Sequence, residues 1–435
     1  MNSSNSLIII FFLFLFLNFI CFYNLNSFGF REYNDFLKGL QFRIDFENRT
    51  NHCLNIKEKQ FFVNLDGEKY PKIIPLYHNK TINFRCLNAS PNRKTILMWN
   101  KFRGLPLKKY SFGVTEPFKN MNCPVTNCEL TQDRSKLNQS DLVLFHLRNK
   151  IDFFPTRAFS NQRFVHVIYE SPIHCHLCEK YENVFNLSSS YRLDSDFTSI
   201  YWTDSGLFWS ENHTFNSNKN FLDNKNGFGA ALVSNCESFR LNFLKELKKY
   251  IPLDIFGNCG LKCPTNQDCR SYISNNYKFF FLFENSFCHD YVTEKFFDTL
   301  KFDIIPVVLG MGNYSYYVPK SSFINAIDFK SPKDLAIYLL KLSNNSNEYN
   351  KYFQWKKYLR TDDQIVKAGY LCEMCIKLHL EEKEKTIRKK ELRNLKKMFG
   401  LYENCLAPKF NENNFELSLV NITRDIHSYF MSQEV

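Results

Sequence analysis

Residues Tyr277–Gly310 read YKFFFLFENSFCHDYVTEKFFDTLKFDIIPVVLG, and this stretch decides the fold. Its opening run, YKFFFLF, is apolar almost throughout, the pattern of a strand buried on both faces of a parallel sheet. The strand ends in a polar turn, Glu284-Asn285-Ser286. A helix then opens near Asp290–Lys295, and a second apolar run, IIPVVL, follows it. Strand, helix, strand at this spacing is the repeating unit of a doubly wound α/β sheet. Polar groups at a strand's C-terminal edge, beside a helix N-terminus, make a natural phosphate and ribose site. Glu294 can accept from ribose hydroxyls and Lys295 can neutralise a phosphate. The same pattern also suits a capped helix carrying a surface Glu–Lys pair.

The unit repeats in both directions. Upstream strands are expected at Thr95–Trp99, Asp141–Leu147 and Phe164–Glu170, then at Phe228–Ser234 and Leu253–Phe256. Ile304–Leu309 and Phe323–Phe329 continue the series downstream. Helices are expected at Ser238–Tyr250, where Phe239, Phe243 and Leu247 recur four apart on one face, and at Tyr291–Phe302 and Ser331–Leu342. A polar break near Asn212–Asn226 divides the series in two. The expectation is two Rossmann-like, doubly wound domains facing across a cleft, at 61–220 and 221–380, with a basic helical tail at 381–435.

A chain of 435 residues accommodates two such domains. Its formal charge of +12 suggests anionic partners without choosing among nucleic acid, lipid and nucleotide phosphate. Lys383–Lys397 (KEKTIRKKELRNLKK) reads as a solvated basic helix. Leu7–Tyr23 (LIIIFFLFLFLNFICFY) is slightly short for a membrane span but long for a signal-peptide core. With no small-residue cleavage site after it, an uncleaved anchor is expected at 7–23, between a short tail at 1–6 and a polar stem at 24–60. N-x-S/T acceptors at Asn48, Asn79, Asn88, Asn138, Asn186, Asn212, Asn313, Asn344 and Asn421 fit a lumenal body. The cysteines number 15, an odd count that includes Cys21 inside the apolar run; in that oxidising compartment the paired ones read as disulfides rather than zinc ligands. No zinc-finger or RNA-binding aromatic motif is present, so nucleic acid is not an expected partner.

The Tyr277–Gly310 stretch resembles the donor-binding signature of the α1,3/4-fucosyltransferases, glycosyltransferase family 10, in its FENS, DY-x-TEK and PVVLG segments. The resemblance runs from about Thr95 to Cys375 and includes ILMW, DLVLFH, YESPIHC, YRLDSD, LVSNC followed by an arginine, and CEMC. It implies a GT-B fold and an inverting transfer of L-fucose from GDP-fucose to a GlcNAc residue, in α1,3 linkage, by a single-pass type II Golgi membrane enzyme with a lumenal catalytic region. Glu170 matches the general base. Such a base suits inversion, because an acceptor hydroxyl must lose its proton as it attacks. Tyr191, Arg192, Ser234, Asn235, Arg240, Asn285, Tyr291, Glu294 and Lys295 match positions that contact the donor. Arg240 and Lys295 would stabilise the charge of the departing GDP. For Arg192 a structural pairing with Asp194 or Asp196 competes with the donor role.

No cofactor is required on this reading, and the part left open for a divalent metal is stimulation of rate. Asp194-Ser195-Asp196 is formally a D-x-D pair and His174–Cys178 a zinc-like fragment, but the resemblance favours neither metal. It also suggests that Cys372 and Cys375 bridge back to Cys123 and Cys128, a direct Cys372–Cys375 bridge being the alternative. Two departures stand out. Phe280 occupies a position where relatives often carry tyrosine, and His146-Leu147-Arg148-Asn149 only loosely follows the usual H-x-R-D. The acceptor stays open between LacNAc or LacdiNAc antennae, slightly preferred, and the N-glycan core. An inactive lectin or scaffold that keeps the fold is the alternative reading of the whole chain.

Overall fold

The computed structural model describes residues 62–65, 68–71, 88–101, 112–121, 123–175, 181, 183–197, 201, 207–209, 215–236, 239–361, 369–384, 395, 398, 404–410 and 414–419, all within one compact unit. The expected anchor at 7–23 and stem at 24–60 lie outside the described residues, as does most of the basic run Lys383–Lys397. Among the described residues no helix is long and apolar enough to cross a membrane.

The first sheet has six strands: Lys94–Met98 (β1), Gly113–Val114 (β2), Cys128–Thr131 (β3), Leu142–His146 (β4), Arg163–Ile168 (β5) and Leu187–Ser190 (β6). Their order is β2-β3-β1-β4-β5-β6, and every pairing is parallel except β2 with β3. Three strands coincide within a residue or two with the apolar runs at 95–99, 141–147 and 164–170. The polar strand β6 (LSSS) has no such run. Two of its three buried serines are satisfied locally: Ser188 Oγ donates to Asp196 Oδ2 at 2.9 Å, and Ser190 Oγ lies 2.5 Å from Ser195 Oγ.

The second sheet follows: Gly227–Leu232 (β7), Leu253–Phe256 (β8), Tyr277–Phe283 (β9), Ile305–Leu309 (β10) and Ile324–Asn325 (β11), all parallel, in the order β8-β7-β9-β10-β11. Strand β9 explains why this sheet reads so clearly. Phe280 and Leu282 pack on one face with Phe296 and Phe297, while Phe279, Phe281 and Phe283 pack on the other with Phe243, Leu247 and Leu339. Both faces are thus covered by helices, Cys269–Asn276 and Glu294–Thr299 on the first, Phe239–Leu247 and Pro332–Ser343 on the second. Each fully buried phenylalanine contributes roughly 1.5–3 kcal/mol. Phe280 is 1% exposed in this apolar layer, a setting with no need of a tyrosine hydroxyl. The Phe323–Phe329 segment is a strand only at Ile324–Asn325; Ala326–Asp328 turns into a 3₁₀ helix.

Two corrections concern the chain's end. The helix Gly369–Glu384 straddles the expected boundary at 380, yet it is one element and belongs with the first sheet. Cys123–Cys372 and Cys128–Cys375 bridge it there, the pairing the resemblance suggests. Arg163 and Glu381 add a buried ion pair of 2.5 Å. The 381–435 tail is not helical throughout either: Leu406–Phe410 and Phe415–Leu419 form an antiparallel hairpin. Phe415 packs against Phe243 and Phe287, which draws this part of the tail onto the second half. The halves are also joined by a small ribbon, in which Leu207–Trp209 pairs antiparallel with Leu359–Thr361. Further disulfides are Cys236–Cys259, Cys263–Cys269 and Cys288–Cys405.

Candidate active site

In a parallel α/β sheet, ligands sit outside the C-terminal strand edges, where the strand order reverses. In the second sheet that point lies between β7 and β9, because the chain leaves β7 for β8 on one side and continues from β9 to β10 on the other. The segments following these strands are Val233-Ser234-Asn235 and Glu284-Asn285-Ser286. Arg240, near the start of the next helix, is buried at this point, and its Nη1 donates to the Phe283 carbonyl at 3.3 Å.

Glu284 is fully buried and is the hub of this edge. Its carboxylate accepts from Thr293 N at 3.0 Å, from Thr293 Oγ1 at 2.9 Å and from Lys295 Nζ at 3.0 Å. Thr293 is also the N-cap of the Glu294–Thr299 helix. Gly310 is required by this packing, since a Cβ there would sit 2.7 Å from Tyr314 OH and 3.3 Å from Glu284 Cγ. Lys295 also lies 3.6 Å from Glu294. Burial works against the Lys295 charge, but Glu284 and Glu294 outweigh it and hold the ammonium above the ordinary lysine range. Arg240 is close enough to push back against it. Two cations therefore share the switch point. Burial likewise pushes the Glu294 carboxyl up, and Lys295 and its own backbone N–H outweigh that and lower it.

The first sheet supplies the opposite side. Glu170 follows β5, and Arg148 follows the adjacent parallel strand β4 at the same edge. Arg148 Nη1 donates to Glu170 Oε1 at 2.6 Å, and Tyr291 OH donates to Oε2 at 3.2 Å. Burial, then Tyr201 and Glu170, raise the Tyr291 hydroxyl well above its ordinary range, so it remains a donor. Other bonds join the loops after β5 and β6 to the loop after β9. Ser171 Oγ donates to Ser286 Oγ at 2.6 Å, Asn285 Nδ2 lies 3.0 Å from His174 Nε2, and Leu193 N donates to Asp290 Oδ2 at 3.1 Å. Asp290 has φ 62°, a left-handed turn that Asp tolerates better than most residues. Glu170, Asn285, Tyr291, Glu294, Lys295 and Arg240 are thus gathered around facing strand edges.

The remaining expected residues are placed less uniformly. Tyr191 is buried with its ring edge-on to Tyr291 at 4.8 Å. Arg192 forms a two-pronged pair with Asp194 at 2.8 and 2.9 Å, and its Nη1 donates to Asn404 Oδ1 at 2.6 Å. Ser234 is exposed and Asn235 half-buried, on a loop held by Cys236–Cys259. The D-x-D carboxylates face different partners, Arg192 for Asp194 and Ser188 for Asp196. Cys128, Cys375 and His379 come within metal-ligating range of one another, but the two sulfurs are already joined in a disulfide. Cys175 is disulfide-bonded as well. Arg148, Tyr201 and Asn404 were not singled out from the sequence. For Arg148 a signal existed: it stands one strand away from Glu170, just past a C-terminal strand edge. Tyr201 donates to the Tyr169 carbonyl at 2.8 Å, and burial first, then Glu294, Glu170 and Glu284, raise its hydroxyl.

His146, at the end of β4, gives a pH prediction. Burial, then Arg148, lowers its pKa to about 4, against about 6.5 in the unfolded chain. On acidification the unfolded chain therefore takes up this proton first. The contribution is intact above pH ~6.5 and lost as pH falls towards ~4. His146→Gln is expected to reduce the loss of unfolding free energy between pH 7 and 4.5 by ~2 kcal/mol, measured by urea unfolding at each pH.

Residues 91–202 match the family model described as fucosyltransferase, N-terminal, and residues 222–397 the one described as glycosyltransferase family 10 (fucosyltransferase), C-terminal. A Bos taurus 3-galactosyl-N-acetylglucosaminide 4-alpha-L-fucosyltransferase is 34% identical over 272 residues, 60% of this chain and 72% of the relative. The chain belongs to glycosyltransferase family 10. A second relative, the Drosophila melanogaster glycoprotein 3-alpha-L-fucosyltransferase A, is 35% identical over 316 residues; the match spans 69% of this chain and 59% of that relative's length. A solved α1,3-fucosyltransferase structure with GDP aligns at 19% identity with a TM-score of 0.48, covering 70% of this chain and 94% of the other. Both matched regions of the family carry a wall of the site: Arg148 and Glu170 lie in the first, Arg240, Glu284 and Lys295 in the second.

Proposed function

We propose that the chain transfers L-fucose from GDP-fucose, in α1,3 linkage and with inversion, to a GlcNAc residue of a glycan. The observation that carries this reading is Glu170: a carboxylate at the edge of the first sheet, held by Arg148 and bonded to Tyr291 of the second sheet's FENS…DYVTEK loop. The arrangement corresponds to a GT-B enzyme, with the acceptor on the first half and the donor on the second. The acceptor hydroxyl attacks fucose C1 from the face opposite GDP, and its proton passes to Glu170. The bond from C1 to the β-phosphate oxygen breaks, and GDP departs as an anion. Arg240 and Lys295, paired at the switch point, stabilise that developing charge without reorganising. Arg148 and Tyr291 hold the Glu170 carboxyl group in place at the strand edge, one on each oxygen. The body is proposed to be lumenal, on a type II Golgi anchor at 7–23, where its disulfides form.

The test is the full-length chain, made in a eukaryotic secretory host and purified in detergent. GDP release is followed with GDP-fucose and a panel of LacNAc, LacdiNAc and N-glycan core acceptors, and NMR assigns the new linkage. An α1,3-fucosylated GlcNAc is expected, with antennae turned over faster than the core. GDP-fucose binding without turnover of any GlcNAc acceptor would refute the acceptor class. A well-folded protein that ignores GDP-fucose would refute the donor.

A further inference from the structure

The chain continues past the last family-matched residue, 397, and that extra segment returns to the site. Cys405 is bridged to Cys288, in the middle of the loop that carries Asn285 and Tyr291. On either side the backbones are joined: His289 N donates to the Asn404 carbonyl at 2.8 Å, and Leu406 N donates to the Phe287 carbonyl at 2.8 Å. Three consecutive tail residues therefore pin three consecutive loop residues. Asn404 also faces the other wall, where its Oδ1 accepts from Arg192 Nη1 at 2.6 Å. Asn404 and Cys405 are buried, and Leu395, Met398 and Cys405 share an apolar cluster with Tyr191 and Tyr291.

We propose that Asn404-Cys405-Leu406 is a strap built into the donor site: it positions the Phe287–Tyr291 loop for GDP-fucose and, through Asn404, fixes the plane of the Arg192 guanidinium. The inference rests on the donor reading given above. Its physical basis is preorganisation. A loop outside the regular strands and helices, with a left-handed residue at Asp290, would otherwise sample other conformations, and each would have to be suppressed when the donor binds. Tyr291 is the part that matters most, because its hydroxyl reaches Glu170. The strap thus couples donor seating to the base. Asn404 and Cys405 are positioning residues; neither is assigned contact with the reacting atoms.

The experiment compares full-length parent, Asn404→Leu, Asn404→Asp and the double variant C288A/C405A, with thermal unfolding and steady-state kinetics on the same samples. Asn404→Leu keeps both backbone bonds and the disulfide but removes the acceptor for Arg192. A bond to a charged donor of this kind supports a KM increase for GDP-fucose of about tenfold, with kcat changed less than about threefold and unfolding temperature near the parent's. Asn404→Asp, which retains an acceptor oxygen, is expected to restore KM to within about threefold of the parent's. C288A/C405A is expected to raise KM by at least as much as Asn404→Leu. A folded Asn404→Leu with the parent's KM overturns the strap. Hydrogen exchange on unmodified protein gives an independent check that needs no variant. Adding GDP should slow exchange in peptides covering both 287–291 and 404–406, and protection confined to the first also overturns it. If the parent itself binds no GDP, the donor reading falls and takes the strap with it; a parent that binds GDP beside an unaffected Asn404→Leu removes the strap alone.

Discussion

Glu170→Gln, assayed with saturating GDP-fucose, is expected to lower acceptor-dependent turnover by about a thousandfold or more, in the upper range for loss of a general base, while GDP affinity stays within about threefold of the parent's. The amide has the carboxylate's shape and one oxygen that can still accept from Arg148 or Tyr291, so the loop geometry is largely kept. It cannot take the acceptor's proton. An alcohol attacking without a base must attack as the neutral hydroxyl or give its proton to solvent, both slower than transfer to a placed carboxylate. Because the Glu170 carboxylate lies on the first sheet while Arg240 and Lys295 lie on the second, donor binding and proton removal should separate cleanly in this variant. Turnover near the parent's level would remove Glu170 from the mechanism and direct attention to another group at the same edge.

The second large effect concerns the buried pair at the donor edge. Lys295→Met leaves Glu284, fully buried, without its cation. Breaking a buried pair by removing one partner costs ~3–5 kcal/mol, whereas replacing both with uncharged groups of similar size is often close to neutral. Chemical unfolding is therefore expected to show a loss of ~3–5 kcal/mol for Lys295→Met, most of it recovered in the double variant K295M/E284Q. GDP affinity should not be recovered. If Lys295 serves the leaving phosphate as well as Glu284, both variants bind GDP at least about tenfold more weakly than the parent. A double variant that regains stability and GDP affinity together would assign Lys295 to the fold alone.

The second sheet was legible almost strand for strand, because β7, β9 and β10 are buried on both faces and write themselves as apolar runs. In the first sheet the same logic found β1, β4 and β5 but not β6. A strand of three serines carries no hydrophobic signal; its stability comes from Asp196 and Ser195, eight and five residues beyond the serines they satisfy. The site divides the same way. Glu294 and Lys295 could be read from their place at a helix start. Glu284, which anchors Lys295, looked like an ordinary strand end, since its burial depends on Thr293 and Gly310 closing over it. Arg148 and Glu170 are 22 residues apart and meet only because β4 and β5 are adjacent and parallel, a pairing that composition cannot specify. The tail is masked by its own lysines: the basic run Lys383–Lys397 reads as a solvated helix, and nothing in it signals Cys405 or the hairpin beyond.

The small ribbon of Leu207–Trp209 and Leu359–Thr361 has a mechanical meaning. It lies where the chain passes from the first half to the second and where it comes back, so these two passages run side by side. Two threads laid side by side in opposite directions act like a strip of leather binding a book: the covers can bend about the spine but cannot twist or slide past each other. The tail adds a third passage, stitched to the second half by Cys288–Cys405. A book sewn at the spine and tied elsewhere does not fall open. In a molecule bound this way, the ribbon and the Cys288–Cys405 bridge restrain one half against the other, and on the donor reading proposed above GDP-fucose enters and GDP leaves by small movements of the loops.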